Sequence, residues 1–119
     1  MKGRVMKRVY VAGKYSADNV IDVLTNIKTG IDYGALLLSM GYAVFCPFLD
    51  HHFALSSWGK VLTKEMYQDN SMAWVEVSDA LFIMPHSEKS HGVQAEIARA
   101  KLLGIPVYYT IEALKKALK

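Results

Sequence analysis

Four short apolar runs, each parted from the next by a stretch with helical spacing, constrain this 119-residue chain more than any other feature. They are Val5 to Ala12, Tyr42 to Cys46, Ala80 to Met84 and Ile105 to Thr110. Between the first two, Asn19 to Met40 places Val20, Val23, Leu24, Ile27, Ile31, Ala35, Leu36 and Leu38 at helical intervals, with Gly30 and Gly34 predicting a break or kink. Gly41 closes that helix and Pro47 stops the second strand. Phe48 to Gln68 is rich in aromatics and His and has no clean period; it reads as a loop with a short helix around Val61 to Tyr67. A further short helix, Asn70 to Ser78, leads into the third strand. Another begins at Ser90 or His91 and ends at Gly104, and Ile111 to Lys119 forms the last. Apolar strands separated by helices imply an α/β domain, 1–119, with a parallel sheet covered on both faces.

Ligands of such sheets bind outside the carboxyl ends of the strands. Three loops are expected there, and expected to converge on one crevice: Gly13-Lys14-Tyr15-Ser16, Pro47 to His52, and Pro85 to Gly92. The third carries the strongest chemical signal. Ser90-His91-Gly92-Val93-Gln94-Ala95-Glu96 follows a strand and opens a helix, so free helix N–H groups can hold an anion or a sugar hydroxyl while Glu96 offers a carboxylate to the same pocket. Glu96 shares a helical face with Val93 and Ala100, so one reading places it on the core-facing stripe, where a carboxylate is either partnered or functional. The competing reading is a surface glutamate paired with Arg99. Asp69 starts the predicted short helix, either as its N-cap or as a second carboxylate in the pocket. Asp79, between a helix and a strand, suits turn or capping duty. Lys14 and Ser16 either contact a phosphate or form a plain turn; the loop has neither a GxGxxG fingerprint nor a Walker pattern.

Other classes of function find less support. Hydrophobic residues at 52% and charged residues at 21% describe a globular chain rather than a disordered one. No stretch approaches the ~20 apolar residues that cross a bilayer, and a cytoplasmic location is expected. The net charge of +3 gathers at the two ends, in Lys2, Arg4, Lys7 and Arg8 and in Lys115, Lys116 and Lys119. That distribution argues against a nucleic-acid polymer and still favours an anionic small molecule. His51-His52 lacks a third ligand at useful spacing, and neighbours in an extended chain point opposite ways, so no metal is expected. Cys46, the single cysteine, reads as a buried structural thiol, and Trp58 and Trp74 as core or lid aromatics.

Val9-Tyr10-Val11-Ala12-Gly13, Asp79 before an apolar strand, Ser90-x-Gly92-x-x-x-Glu96 and Gly104-Ile105-Pro106-Val107 together resemble the nucleoside 2-deoxyribosyltransferase-like superfamily, in order, over nearly the whole chain. The resemblance implies a flavodoxin-like, Rossmann-like domain, usually a homodimer, that cleaves the N-glycosidic bond between a nucleobase and its sugar without a cofactor. It implies that Glu96 is the nucleophile at the anomeric carbon, where a carboxylate stabilises an oxocarbenium-like transition state. Tyr10 and Gly13 would line the sugar site, and Ser90 and Gly92 would hold the 5' end, with Lys14 assisting. Six residues before the glutamate, the transferases of this superfamily carry an aspartate for the sugar 5'-hydroxyl and the nucleotide N-glycosidases a serine for the 5'-phosphate. Ser90 therefore points to hydrolysis of a nucleoside 5'-monophosphate. The alternatives are a nucleoside 2-deoxyribosyltransferase that exchanges bases and a nucleotide-binding module without turnover. One departure stands out: the superfamily's other pocket aspartate falls on Ser71 here, which leaves Asp69, two residues early, as its substitute.

Overall fold

The computed structural model describes residues 6–118. Its strands are β1 (Arg8–Ala12), β2 (Ala43–Phe45), β3 (Ala80–Ile83) and β4 (Val107–Tyr108). The helices are α1 (Val20–Ser39), α2 (His51–Ala54), α3 (Lys64–Glu76), α4 (His91–Leu102) and α5 (Ile111–Ala117). All strands are parallel in the order β2-β1-β3-β4, an α/β architecture of the flavodoxin-like, Rossmann-like type. The strand start expected at Val5 and the helix end expected at Lys119 lie outside the described residues.

Period-two alternation sorts the core. In β1, Val9 and Val11 face one side with Phe82 and Met84, and there Ile27 and Leu37 of α1 and Leu114 of α5 cover them. Tyr10 and Ala12 face the other side with Leu81 and Ile83, beneath Val75 of α3 and Val93, Ile97 and Ala100 of α4. The register pairs Tyr10 with both Phe45 and Leu81, so the central strand carries the same face into both neighbours.

Polar residues cap the helices where the chain changes direction. Asn19, Thr63, Ser90 and Thr110 each accept a hydrogen bond from a backbone N–H in the first turn of α1, α3, α4 and α5. Gly104 leaves α4 at φ +74°, a conformation that favours glycine, as does Gly41 after α1 at φ +96°.

Two expectations are corrected. α1 runs unbroken through Gly30 and Gly34, because these glycines serve packing. A Cβ on Gly30 would lie 2.2 Å from the Phe48 ring, and one on Gly34 would lie 3.3 Å from the Cys46 sulfur. The two short helices expected around 61–67 and 70–78 are one helix, α3, capped by Thr63, so Asp69 lies inside it and caps nothing. Asp79 does hold a turn: its carboxylate accepts the Arg8 N–H at 2.7 Å while its own N–H donates to the Arg8 carbonyl, tying the starts of β1 and β3. Among the described residues no helix is long and apolar enough to cross a membrane.

Candidate active site

The sheet order sets the site. From β1 the chain leaves over one face through α1; from β3 it leaves over the other through α4, so the loops after these adjacent strands diverge at the edge where sheets of this kind form a ligand crevice. At its base, Gly13 lets the two strand ends approach: an added Cβ would sit 2.3 Å from the Met84 sulfur. The loops are pinned together where the Lys14 N–H donates to the Ser87 hydroxyl at 3.0 Å. Ser87 is fully buried, and His86 before it takes φ 63°, a left-handed turn residue that is not glycine. Nothing in the sequence singled out Ser87.

Ser90 caps α4, its hydroxyl accepting the Val93 N–H at 3.3 Å. Helical geometry leaves the N–H groups of His91 and Gly92 without intrahelical acceptors. Gly92 is exposed, and a Cβ there would meet nothing closer than the Ser90 hydroxyl at 3.9 Å, so the space above it is open. One turn further on, Glu96 flanks the buried residues Val93, Ile97 and Ala100 and is half-buried. Its carboxylate accepts a short hydrogen bond from the Tyr10 hydroxyl. The alternative partner, Arg99, is bound elsewhere, to Glu76 at 2.7 Å.

Burial drives the electrostatics of this pair. It raises the Glu96 carboxyl to about 7, and the Tyr10 hydrogen bond pulls in the opposite direction without cancelling it. The Tyr10 hydroxyl is pushed far above the ordinary phenol range, first by burial and then by the neighbouring Glu96 charge, so Tyr10 stays a proton donor to the carboxylate. The Ser71 hydroxyl of α3 stands near enough to the phenol to work against that rise, while the Asp50 charge adds to it. Tyr10 itself is wholly buried, its ring stacked at 5.4 Å on Phe45, which stacks in turn at 5.3 Å on Trp74. Enclosed in this way, Tyr10 holds Glu96 in place through its hydroxyl.

The structure brings Glu96, Tyr10, Ser90 and Gly92 together with the Gly13 turn, and does not bring Asp69. Two residues along a helix turn about 200°, so with Ser71 directed at Tyr10, Asp69 is on the solvent side and exposed. Asp50 was not singled out by the sequence because its segment has no period. The loops converge only in part. One cavity of about 340 Å³ lies between the β3 loop and α4, touching Ser87, Gln94, Lys101 and Tyr109. A polar one of about 430 Å³ lies over Lys14, Ser16, Asp22 and Asn26. Glu96 lines neither.

His51 and His52 are helical rather than extended, so their ring centroids lie 4.2 Å apart, tilted by 32°, instead of diverging. Among the described residues no group of three or more His, Cys, Asp and Glu side chains could hold a metal ion. Cys46 is half-buried, donates weakly to the Gly30 carbonyl and has its thiol pushed up by burial, all properties of a packing residue. Trp74 packs as an aromatic lid on Phe45, whereas Trp58 is exposed.

Comparison of the chain with protein-family models finds no match, and comparison with curated proteins finds none.

Proposed function

We propose that the protein hydrolyses the N-glycosidic bond of a (deoxy)nucleoside 5'-monophosphate, with Glu96 as nucleophile. The observation that carries this reading is a half-buried carboxylate fixed by a buried phenol, one turn into a helix whose serine-capped N-terminus opens at the carboxyl edge of a parallel sheet. A nucleophile of this kind needs a defined position under the anomeric carbon, and Tyr10 supplies it. The phosphate would take the N–H groups at the start of α4 above Gly92, where a serine leaves room for a dianion that an aspartate would repel. Lys14 stands exposed on the adjoining loop as a further cation.

A panel of ribo- and deoxyribonucleoside 5'-monophosphates, assayed for liberated base, tests the reading. Glu96→Gln keeps the volume and the acceptor for Tyr10 and removes the charge, so base release should fall by roughly 1000-fold or more with folding intact. Undiminished turnover in that variant removes Glu96 from the mechanism. Adding a second free base separates hydrolysis from base exchange, since exchange without net sugar release marks a deoxyribosyltransferase. The binding-module alternative draws on Ser71, which puts a hydroxyl where the resembled enzymes carry an acid. Nucleotide binding with no base release, unaffected by Glu96→Ala, would decide for that module.

A homodimer in the cytoplasm belongs to the same proposal. Its support is the resemblance together with the apolar outer side of α1, where Val20, Ile21 and Leu24 are each more than half exposed.

A further inference from the structure

Departure of a nucleobase needs a proton, and the residues expected to supply it do not. Asp69 is on the solvent side of α3, and position 71 is a serine. A different carboxylate stands at the same edge of the sheet. Asp50 ends the single helical turn Pro47–Asp50 that leads out of β2, the strand whose Phe45 is paired with Tyr10 and stacked on its ring. The turn is anchored on both sides: Phe48 is buried against Gly30 of α1, and the next residue, His51, places its Nδ1 2.8 Å from the Phe48 carbonyl. Asp50 is thereby held within electrostatic reach of the Tyr10 hydroxyl that binds Glu96. It is half-buried, burial alone raises its carboxyl, and no hydrogen bond among the described residues offsets that burial. A carboxyl removed from water without a partner is unfavourable, and such groups concentrate where protons are moved.

We propose that Asp50 is the acid–base carboxyl of the site, protonating the departing base and later deprotonating the attacking water. The proposal rests on the N-glycosidase reading. In the first step a Glu96 oxygen bonds to the anomeric carbon while the carbon–nitrogen bond breaks; the electron pair stays on the base nitrogen system, which takes the Asp50 proton. In the second step water attacks the same carbon, the ester bond to Glu96 breaks with its pair returning to the carboxylate, and the water proton passes to Asp50. The net change is addition of one water across the glycosidic bond. The Asp50 charge reaches the Tyr10 hydroxyl and the Cys46 thiol, both held protonated by burial, so neither competes for this role; His51 and His52 follow it in the chain, and the His51 ring nitrogen is engaged by the Phe48 carbonyl.

Asp50→Asn is isosteric and tests this directly with two substrates, a natural nucleoside 5'-monophosphate and the para-nitrophenyl glycoside of the same sugar phosphate, whose leaving group needs no proton. The expected result is a loss of about 100-fold or more on the nucleotide, with the nitrophenolate burst nearly unchanged. Azide, a nucleophile that needs no base, should restore turnover of the glycosyl-enzyme and yield a glycosyl azide, and Asp50→Glu should recover part of the nucleotide activity. Equal losses on both substrates, or none on either, overturn the role of Asp50 while leaving the N-glycosidase reading intact. A parent protein inert toward every nucleotide and toward the activated glycoside overturns both.

Discussion

Enclosing a carboxylate against a phenol fixes where it points and works against its charge. The Glu96 carboxyl rises from 4.5 to about 7, so the folded chain binds that proton more tightly than the unfolded chain does. The stability contributed by this difference is complete below pH 4.5 and is lost as the pH rises through about 7, an effect on the order of 3 kcal/mol. Glu96→Gln has no such proton to lose. Its melting temperature should therefore exceed the parent's at pH 8, with the gap closing towards pH 5; a gap independent of pH would mean that Glu96 is not the titrating group. In the proposed reaction reactivity runs the other way, because only an ionised Glu96 can act as the nucleophile. With the activated aryl glycoside, the burst rate should climb with pH through about 7 in rapid-mixing measurements. Gly92 offers a separate check on the proposed phosphate position. Its Cβ space is empty in the folded chain, so Gly92→Val should leave the melting temperature in place while nucleotide affinity, read by calorimetry, falls by about 10-fold or more.

At the scale of elements, the helices show how a local rule yields to a contact. Glycine inside a helix costs about 1 kcal/mol relative to alanine, which is why Gly30 and Gly34 signal a break. The Phe48 ring occupies the space above Gly30, and the close approach of this turn to α1 positions Asp50. Gly30→Ala should consequently destabilise the protein by about 1–3 kcal/mol in urea titrations despite the better helix propensity of alanine, with a smaller loss for Gly34→Ala. A stabilised Gly30→Ala would refute the close packing. α3 illustrates the opposite difficulty. It buries Val75 alone, leaves Met66 and Trp74 substantially exposed and turns Ser71 towards Tyr10, so its sequence has no strong apolar period and reads as two fragments.

For the whole molecule, one surface bears on assembly. Val20, Ile21 and Leu24 follow one another along the outer side of α1, each more than half exposed, close to the loop that carries Lys14. In the proposed homodimer this face is covered. Light scattering coupled to gel filtration should return twice the chain mass, and Leu24→Arg should shift it towards the monomer without lowering secondary-structure content; a parent that elutes as a monomer at micromolar concentration would remove the dimer from the proposal.

The strand and helix alternation, the cap at Ser90 and the turn at Gly13 were legible along the chain, because each depends on periodicity or on the chemistry of a few consecutive residues, whereas spacing left Glu96 between a core-facing and a surface position. What lay outside that range depends on residues far apart in sequence. Tyr10 meets Glu96 across 86 positions, Lys14 meets Ser87 across 73, and the glycines of α1 acquire their purpose only from a ring that a later turn lays against them. Local sequence determined which segments are strands and helices. The sheet order, which sends α1 and α4 to opposite faces, decided which carboxylates share the edge of the sheet: Glu96 beside Tyr10 and Asp50 near it, with Asp69 turned to water. That decision is tertiary because a carboxylate's surroundings are set by the elements packed around it and not by its neighbours in the chain.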